Sequence, residues 1–135
     1  MFQLSKKVEY ALIAMRHMAI SGNGTIVTTK EIADRYQLPY DLLAKVMQIL
    51  ARKGFIASYQ GVRGGYIFRD DPRTVKVSAV INAIEGKDNL TIVQCESDST
   101  GPCSIHSTCT IKTPLVKLQT SINSVLSEMS ILEMV

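Results

Sequence analysis

With 135 residues, 46% of them apolar, the chain has material for one core plus an appended helix, which excludes a large multidomain enzyme and a wholly disordered segment alike. No apolar run reaches membrane-spanning length, and Glu9, Arg16 and His17 interrupt the N-terminal stretch where a secretory signal needs a continuous apolar centre, so a cytoplasmic protein is expected. The formal net charge of +3 is unevenly placed: residues 1–73 hold eleven Lys and Arg against six Asp and Glu, the rest four against six, so a basic lobe suited to a polyanion adjoins a mildly acidic one.

From Leu4 to Ala19, the residues Leu4, Val8, Ala11, Met15 and Met18 recur at alternating spacings of four and three, which predicts an amphipathic helix with Ser5 at its start. After SGNG, VTTKEIADRY predicts a short helix capped by Thr28 or Thr29, with Ile32 and Ala33 turned inward. Pro39, at or near a first helical position, opens the longer YDLLAKVMQILARKG helix, with Leu42, Leu43, Val46, Met47 and Leu50 inside and Gly54 at its end. Two such helices around the QLP turn make a helix-turn-helix.

FIASYQ and YIFRD are β-prone runs separated by GVRGG, a hairpin with a flexible cationic tip. A helix-turn-helix followed by a hairpin is a winged helix, so the expected fold is mainly α with a small β-hairpin wing. Residues 1–73 form the expected winged helix-turn-helix DNA-binding domain. Residues 74–135 follow with a helix over VSAVINAIEG, a cysteine loop at 95–109 and a long C-terminal dimerisation helix. In that last helix Ile111, Leu115, Leu118, Ile122, Val125, Met129 and Leu132 keep a heptad seam for three repeats. Such a stripe wants a partner stripe, and a homodimer is expected.

The second helix of a helix-turn-helix enters the major groove, where every base pair presents its own donor and acceptor pattern. Its leading residues here are Pro39, Tyr40, Asp41 and Ala44, followed by Lys45. Tyr40 can bond a base edge or a phosphate; Asp41 can accept from cytosine or instead cap the helix; Ala44 can touch a thymine methyl. At the hairpin tip Arg63, beside Gly64 and Gly65, can reach a narrow minor groove. Thr28, Thr29, Lys30, Arg52 and Lys53 are candidates for phosphates, which fix register without reading sequence. The expected partner is therefore a double-stranded DNA operator.

All three cysteines, Cys95, Cys103 and Cys109, fall within fifteen residues, and His106 stands between the last two. An odd count in a reducing compartment points to metal rather than disulfides. Thiolates are the ligands iron–sulfur clusters prefer, and three from one chain leave a fourth position for a weaker donor that a small reactive molecule can displace. The alternatives are free thiols with no metal, or zinc, since Cys95, Cys103, His106 and Cys109 make a Cys3His set, although no pair has the two-residue spacing common in structural zinc sites. Catalysis has little support: there is no CxxC pair, no phosphate-cradling glycine loop and no helix with paired metal histidines, so no enzyme is expected.

LSKKVEYAL, TTKEIADRYQLP, the QGVRGGY wing and the following DP-x-x-V-x-V-x-x-V-I-x-A-I-E resemble the IscR/NsrR/RirA-like family of bacterial winged-helix iron–sulfur transcription regulators, the Rrf-two superfamily, over nearly the whole chain. The IVQC start and the cysteine spacing are most similar to its nitric-oxide-sensing and iron-responsive branches. The resemblance implies a [2Fe–2S] or [4Fe–4S] cluster on Cys95, Cys103 and Cys109 that senses nitric oxide, iron or redox state. By alignment of the first helix it also implies Glu9 of the other subunit as fourth ligand, with His106 the alternative. In the cluster-assembly branch a ligand histidine follows the third cysteine, whereas here that neighbourhood is Thr110 to Lys112. The family's wing reads R-G-x-G-G-G-Y; here Gln60 replaces the first arginine and Arg63 stands at a glycine position, so the groove cation is shifted.

Overall fold

The computed structural model describes residues 3–86 and 108–134, and within them the chain builds five helices and one hairpin. Helix α1 spans Lys6–Ser21 and starts where expected, with the Ser5 hydroxyl accepting the Val8 N–H. Its inward stripe includes Val8, Ala11, Met15 and Met18, all buried, and it packs against α3, α4 and the second strand of the hairpin.

Helix α2, Thr29–Tyr36, is capped by Thr28, whose side chain accepts from the Glu31 N–H at 3.0 Å. It ends at Gln37, which adopts a left-handed conformation (φ 56°) while the Leu38 N–H reaches back to the Ala33 carbonyl. That reversal delivers Pro39 as the N-cap of α3, Tyr40–Arg52. Leu43, Val46, Met47 and Leu50 are buried, while Leu42 is only half-buried. The helix stops at Arg52, two residues short of Gly54, which takes φ +87° and turns the chain into the hairpin.

Strands β1, Ile56–Tyr59, and β2, Gly65–Phe68, pair antiparallel with Ile56 opposite Phe68 and Tyr59 opposite Gly65. A further stretch joins them: Val27 forms a bridge to Tyr66, with both N–H···O contacts at 2.8 Å, and so ties the entry to α2 onto the wing. Ile56, Phe68 and Val27 close the core beneath the hairpin. The fold class is thus the expected one, mostly helical with a two-stranded wing.

Helix α4, Val77–Glu85, ends at Gly86 in a left-handed conformation, as the sequence predicts. Val75, Val80, Ile81 and Ile131 belong to the same buried cluster as the side chains of α1 and α3. Helix α5 spans Lys112–Glu128, rests on α4 and buries none of its residues fully.

The heptad seam expected to run through Leu132 stops earlier as a helix. At Met129 the backbone turns extended; its carbonyl accepts from the Val77 N–H, and the Ile131 N–H donates to the Val75 carbonyl. These bonds form because Ile131, which lies off the stripe, is drawn completely into the core. Leu132 then sits in a short 3-10 turn, Leu132–Met134, where the Glu133 carboxylate accepts the Ser130 N–H and the Ser130 hydroxyl accepts the Glu133 N–H. Arg16 Nε donates to the Met134 carbonyl at 2.9 Å and fastens this turn to α1.

Candidate nucleic-acid interface and metal loop

The predicted DNA-contacting residues lie on three elements. Pro39, Tyr40, Asp41 and Lys45 on the start of α3 are exposed, and Ala44 is half-buried. Asp41 is not the cap: Pro39 holds that position without a side-chain hydrogen bond, and Asp41 stands in the first turn, where its charge complements the helix dipole. Tyr40 lies near the Tyr66 phenol of the wing. Burial, and after it Tyr40, pushes Tyr66 up from its usual range, so that hydroxyl stays protonated and able to donate.

At the start of α2, Thr28 and Lys30 are exposed, whereas Thr29 is buried. Because Thr28 uses its oxygen as an acceptor for Glu31, its O–H proton is free to be donated outward. Lys30 is held only by a long 3.9 Å pairing with Asp34 in which both side chains are well exposed, a contact too weak to withhold it from a phosphate. Arg52 and Lys53 are exposed at the far end of α3.

The wing turns over Gly61 to Gly64, whose N–H returns to the Gly61 carbonyl at 3.0 Å; Gln60, Val62 and Arg63 are all exposed there. The turn has no room for side chains at its exit. A Cβ on Gly64 would lie 2.4 Å from the Tyr59 carbonyl oxygen, and one on Gly65 would lie 2.8 Å from the Val27 carbonyl oxygen. Arg63 is thus the last position in the turn before two residues whose surroundings leave no room for a side chain.

Of the predicted metal ligands, Cys95 and Cys103, with the alternative ligand His106, lie outside the described residues. Cys109 is a half-buried free thiol three residues before α5 begins. Glu9 occupies the first turn of α1 with its side chain 37% exposed, and its carboxylate is met by Lys6 Nζ at 3.0 Å. The hydrogen bond from Lys6, then the charge of Glu9, hold the lysine above its ordinary value. Among the described residues no three His, Cys, Asp or Glu side chains come together as a metal site. The donor set nevertheless suits iron and sulfide, being three soft thiols with an accessible carboxylate as a harder, exchangeable fourth donor.

A contact that sequence reasoning missed lies behind α2. His17 of α1, 7% exposed, places Nδ1 2.9 Å from the Tyr36 hydroxyl and Nε2 3.2 Å from Glu31 Oε1. Nothing in the periodicity of α1 singles out this histidine, since its two partners come from another element.

Comparison with known proteins bears on both regions. Residues 4–135 match the model of the Rrf2 family, described as an iron-dependent transcriptional regulator. The chain is 26% identical over 133 residues to the HTH-type transcriptional regulator NsrR of Shouchella clausii, covering 98% of this chain and 88% of that protein. Among solved structures it is similar to T. potens IscR, with a TM-score of 0.73 and 26% identity over 98% of this chain and 85% of that one. CymR (YrzC), the global cysteine regulator of B. subtilis, shares the fold with a TM-score of 0.78 at 20% identity, over 99% and 96% of the two chains. Among the described residues no helix is long and apolar enough to cross a membrane.

Proposed function

The chain belongs to the Rrf2 family of iron-dependent transcriptional regulators, and from that premise we propose that it acts as a homodimeric DNA-binding regulator controlled by an iron–sulfur cluster. In this reading residues 1–73 grip the operator and residues 74–135 carry the cluster loop and the dimer contact. The protein is not an enzyme and works in the cytoplasm. Cys95, Cys103 and Cys109 hold the cluster, and Glu9 of the second subunit supplies the fourth ligand in preference to His106. When bound, the cluster supplies an iron site whose weakest ligand is exchangeable by nitric oxide or oxidants, or which empties when iron is scarce.

The observation that carries this reading is the exposed stripe on α5. Ile111, the N-cap of α5, and Leu118 and Val125 within it recur at intervals of seven and are 58%, 50% and 56% exposed, on a helix that begins three residues after Cys109. A heptad stripe left in water costs free energy that pairing with a second copy recovers. The nearness of Cys109 to that stripe supports a cluster beside the subunit contact, where a change in ligation would alter how two DNA-binding lobes are presented.

The rest of the work falls to this chain's own side chains. Tyr40, Asp41, Ala44 and Lys45 face the major groove, Thr28 and Lys30 serve the backbone at the start of α2 while the buried Thr29 does not reach it, and Gln60 and Arg63 meet the minor groove. Two lobes in a dimer then address half-sites about 34 Å apart, or a multiple of that distance. The cluster acts only through differential affinity, by favouring one relative pose of the lobes over another.

Anaerobic purification with iron supplied, followed by iron, sulfide and zinc analysis, tests the cluster; coloured protein with iron and sulfide is expected. Colourless protein with stoichiometric zinc would overturn the cluster in favour of a Cys3His site. Binding of operator duplex should fall steeply with added salt, and salt-independent binding would remove DNA from the reading. Glu9→Ala should leave the cluster present but more reactive, and unchanged reactivity would transfer the role to His106.

A further inference from the structure

The His17–Glu31–Tyr36 contact lies between the scaffold helix α1 and the element of the motif expected to cross the DNA backbone. The chemistry of its partners assigns its protons. A carboxylate only accepts, so His17 Nε2 carries the hydrogen that faces Glu31 Oε1 at 3.2 Å. In the neutral ring Nδ1 then has only a lone pair, and the Tyr36 hydroxyl donates to it across 2.9 Å. If the ring gains a proton, Nδ1–H donates to the Tyr36 oxygen instead, and the hydroxyl hydrogen rotates away. The same heavy-atom positions serve both states, so His17 can change charge without any element moving.

The surroundings make that charge matter at one place. From α2 the groups facing the ring are Glu31 and Tyr36; Tyr36 packs edge-on at 5.5 Å between centroids, and Arg35 lies 5.9 Å behind its ring. The other charged groups on elements packed against α1 are engaged elsewhere or turned to solvent. Glu85 of α4 takes the Ser5 hydroxyl, Glu133 takes Ser130, Arg16 takes the Met134 carbonyl, and Asp41, Lys45 and Arg52 of α3 are exposed. Glu31 is therefore the group that reads the state of His17, and its side chain is half-exposed in the first turn of α2, beside Thr28 and Lys30.

A full negative charge in that turn opposes the approach of a phosphate, against the favourable dipole and N–H groups of the helix start. We propose that His17 is a positioning residue whose protonation neutralises Glu31 from behind and so strengthens the hold of α2 on the DNA backbone. The inference rests on the DNA-binding reading above and adds to it a proton taken up on binding. Linkage fixes the sign: if the charged ring favours DNA, DNA favours the charged ring by the same factor, and affinity rises as pH falls.

The test uses the full chain and a fluorescent duplex that this protein selects from a random-sequence pool, with anisotropy read at constant salt between about pH 6 and about pH 8. Affinity should rise about three- to tenfold from the higher to the lower pH, in proportion to one proton taken up in part. His17→Gln, which keeps hydrogen-bonding groups but cannot charge, should bind with a flattened pH profile. Glu31→Gln should bind at the higher pH as tightly as the parent does at the lower one. If His17→Gln fails to fold, the ring signals of the parent decide the matter, since adding duplex should move the titration of His17 to higher pH. An undiminished pH slope in His17→Gln, or a titration that DNA leaves in place, overturns the inference. No binding to any selected duplex at any pH overturns instead the DNA-binding reading beneath it.

Discussion

Helices α3 and α5 each carry an apolar stripe, but the two stripes meet different fates. Helix α3 hides Leu43, Val46, Met47 and Leu50 completely within its own chain, while α5 leaves Ile111, Leu118 and Val125 at least half in water. The contrast separates two kinds of information in one sequence. The stripe on α3 specifies how the chain packs on itself, and that on α5 is the one the proposed dimer would cover.

The sharpest way to break this comparison is to truncate both stripes. Leu43→Ala removes a fully buried side chain from the core and should cost about 2–5 kcal/mol, seen as a large drop in the denaturant midpoint. Leu118→Asp should barely change the folding of an isolated chain, yet it should raise the dimer dissociation constant by about tenfold to a hundredfold in sedimentation equilibrium. If Leu118→Asp unfolds the chain at low concentration instead, α5 belongs to the core after all. Next in size, Thr28→Ala removes the cap of α2 and should cost about 1 kcal/mol. That loss should show in thermal melting without any change in dimerisation.

The smallest effect concerns the end of α5. The Ser130 N–H, and after it the hydroxyl, hold the Glu133 carboxyl below its ordinary value. A depressed carboxyl stabilises above the unfolded value and loses that contribution as pH falls through its lower folded value. Amide exchange at Ser130 should therefore quicken only in that acidic window, and a protection that ignores pH there would detach Glu133 from the turn.

The parts legible in the sequence were those set by neighbours along the chain. Ser5 and Thr28 cap their helices, Gly86 ends α4, and GVRGG closes a hairpin, because capping and turn chemistry act over a few residues. The parts that were not legible depend on distant strands of backbone. The seam through Met129 and Leu132 looked helical by spacing, but Val75 and Val77 supply competing hydrogen bonds and the core takes Ile131. Thr29 had the same chemistry as Thr28 on paper, and only tertiary packing distinguishes the buried hydroxyl from the exposed one. His17 is similar: it reads as one more position on an amphipathic helix until α2 is laid against it.

The crowded exit of the wing turn has a bearing on how such a protein can be retuned. Any side chain at Gly64 or Gly65 collides with carbonyl oxygens, whereas Val62 projects into open solvent one residue before Arg63. Variants drawn at random across this loop should therefore sort into damaged hairpins and altered target preference, with few between. If the wing reads DNA as proposed, new specificities would be reached by exchanging two adjacent side chains on an unchanging frame.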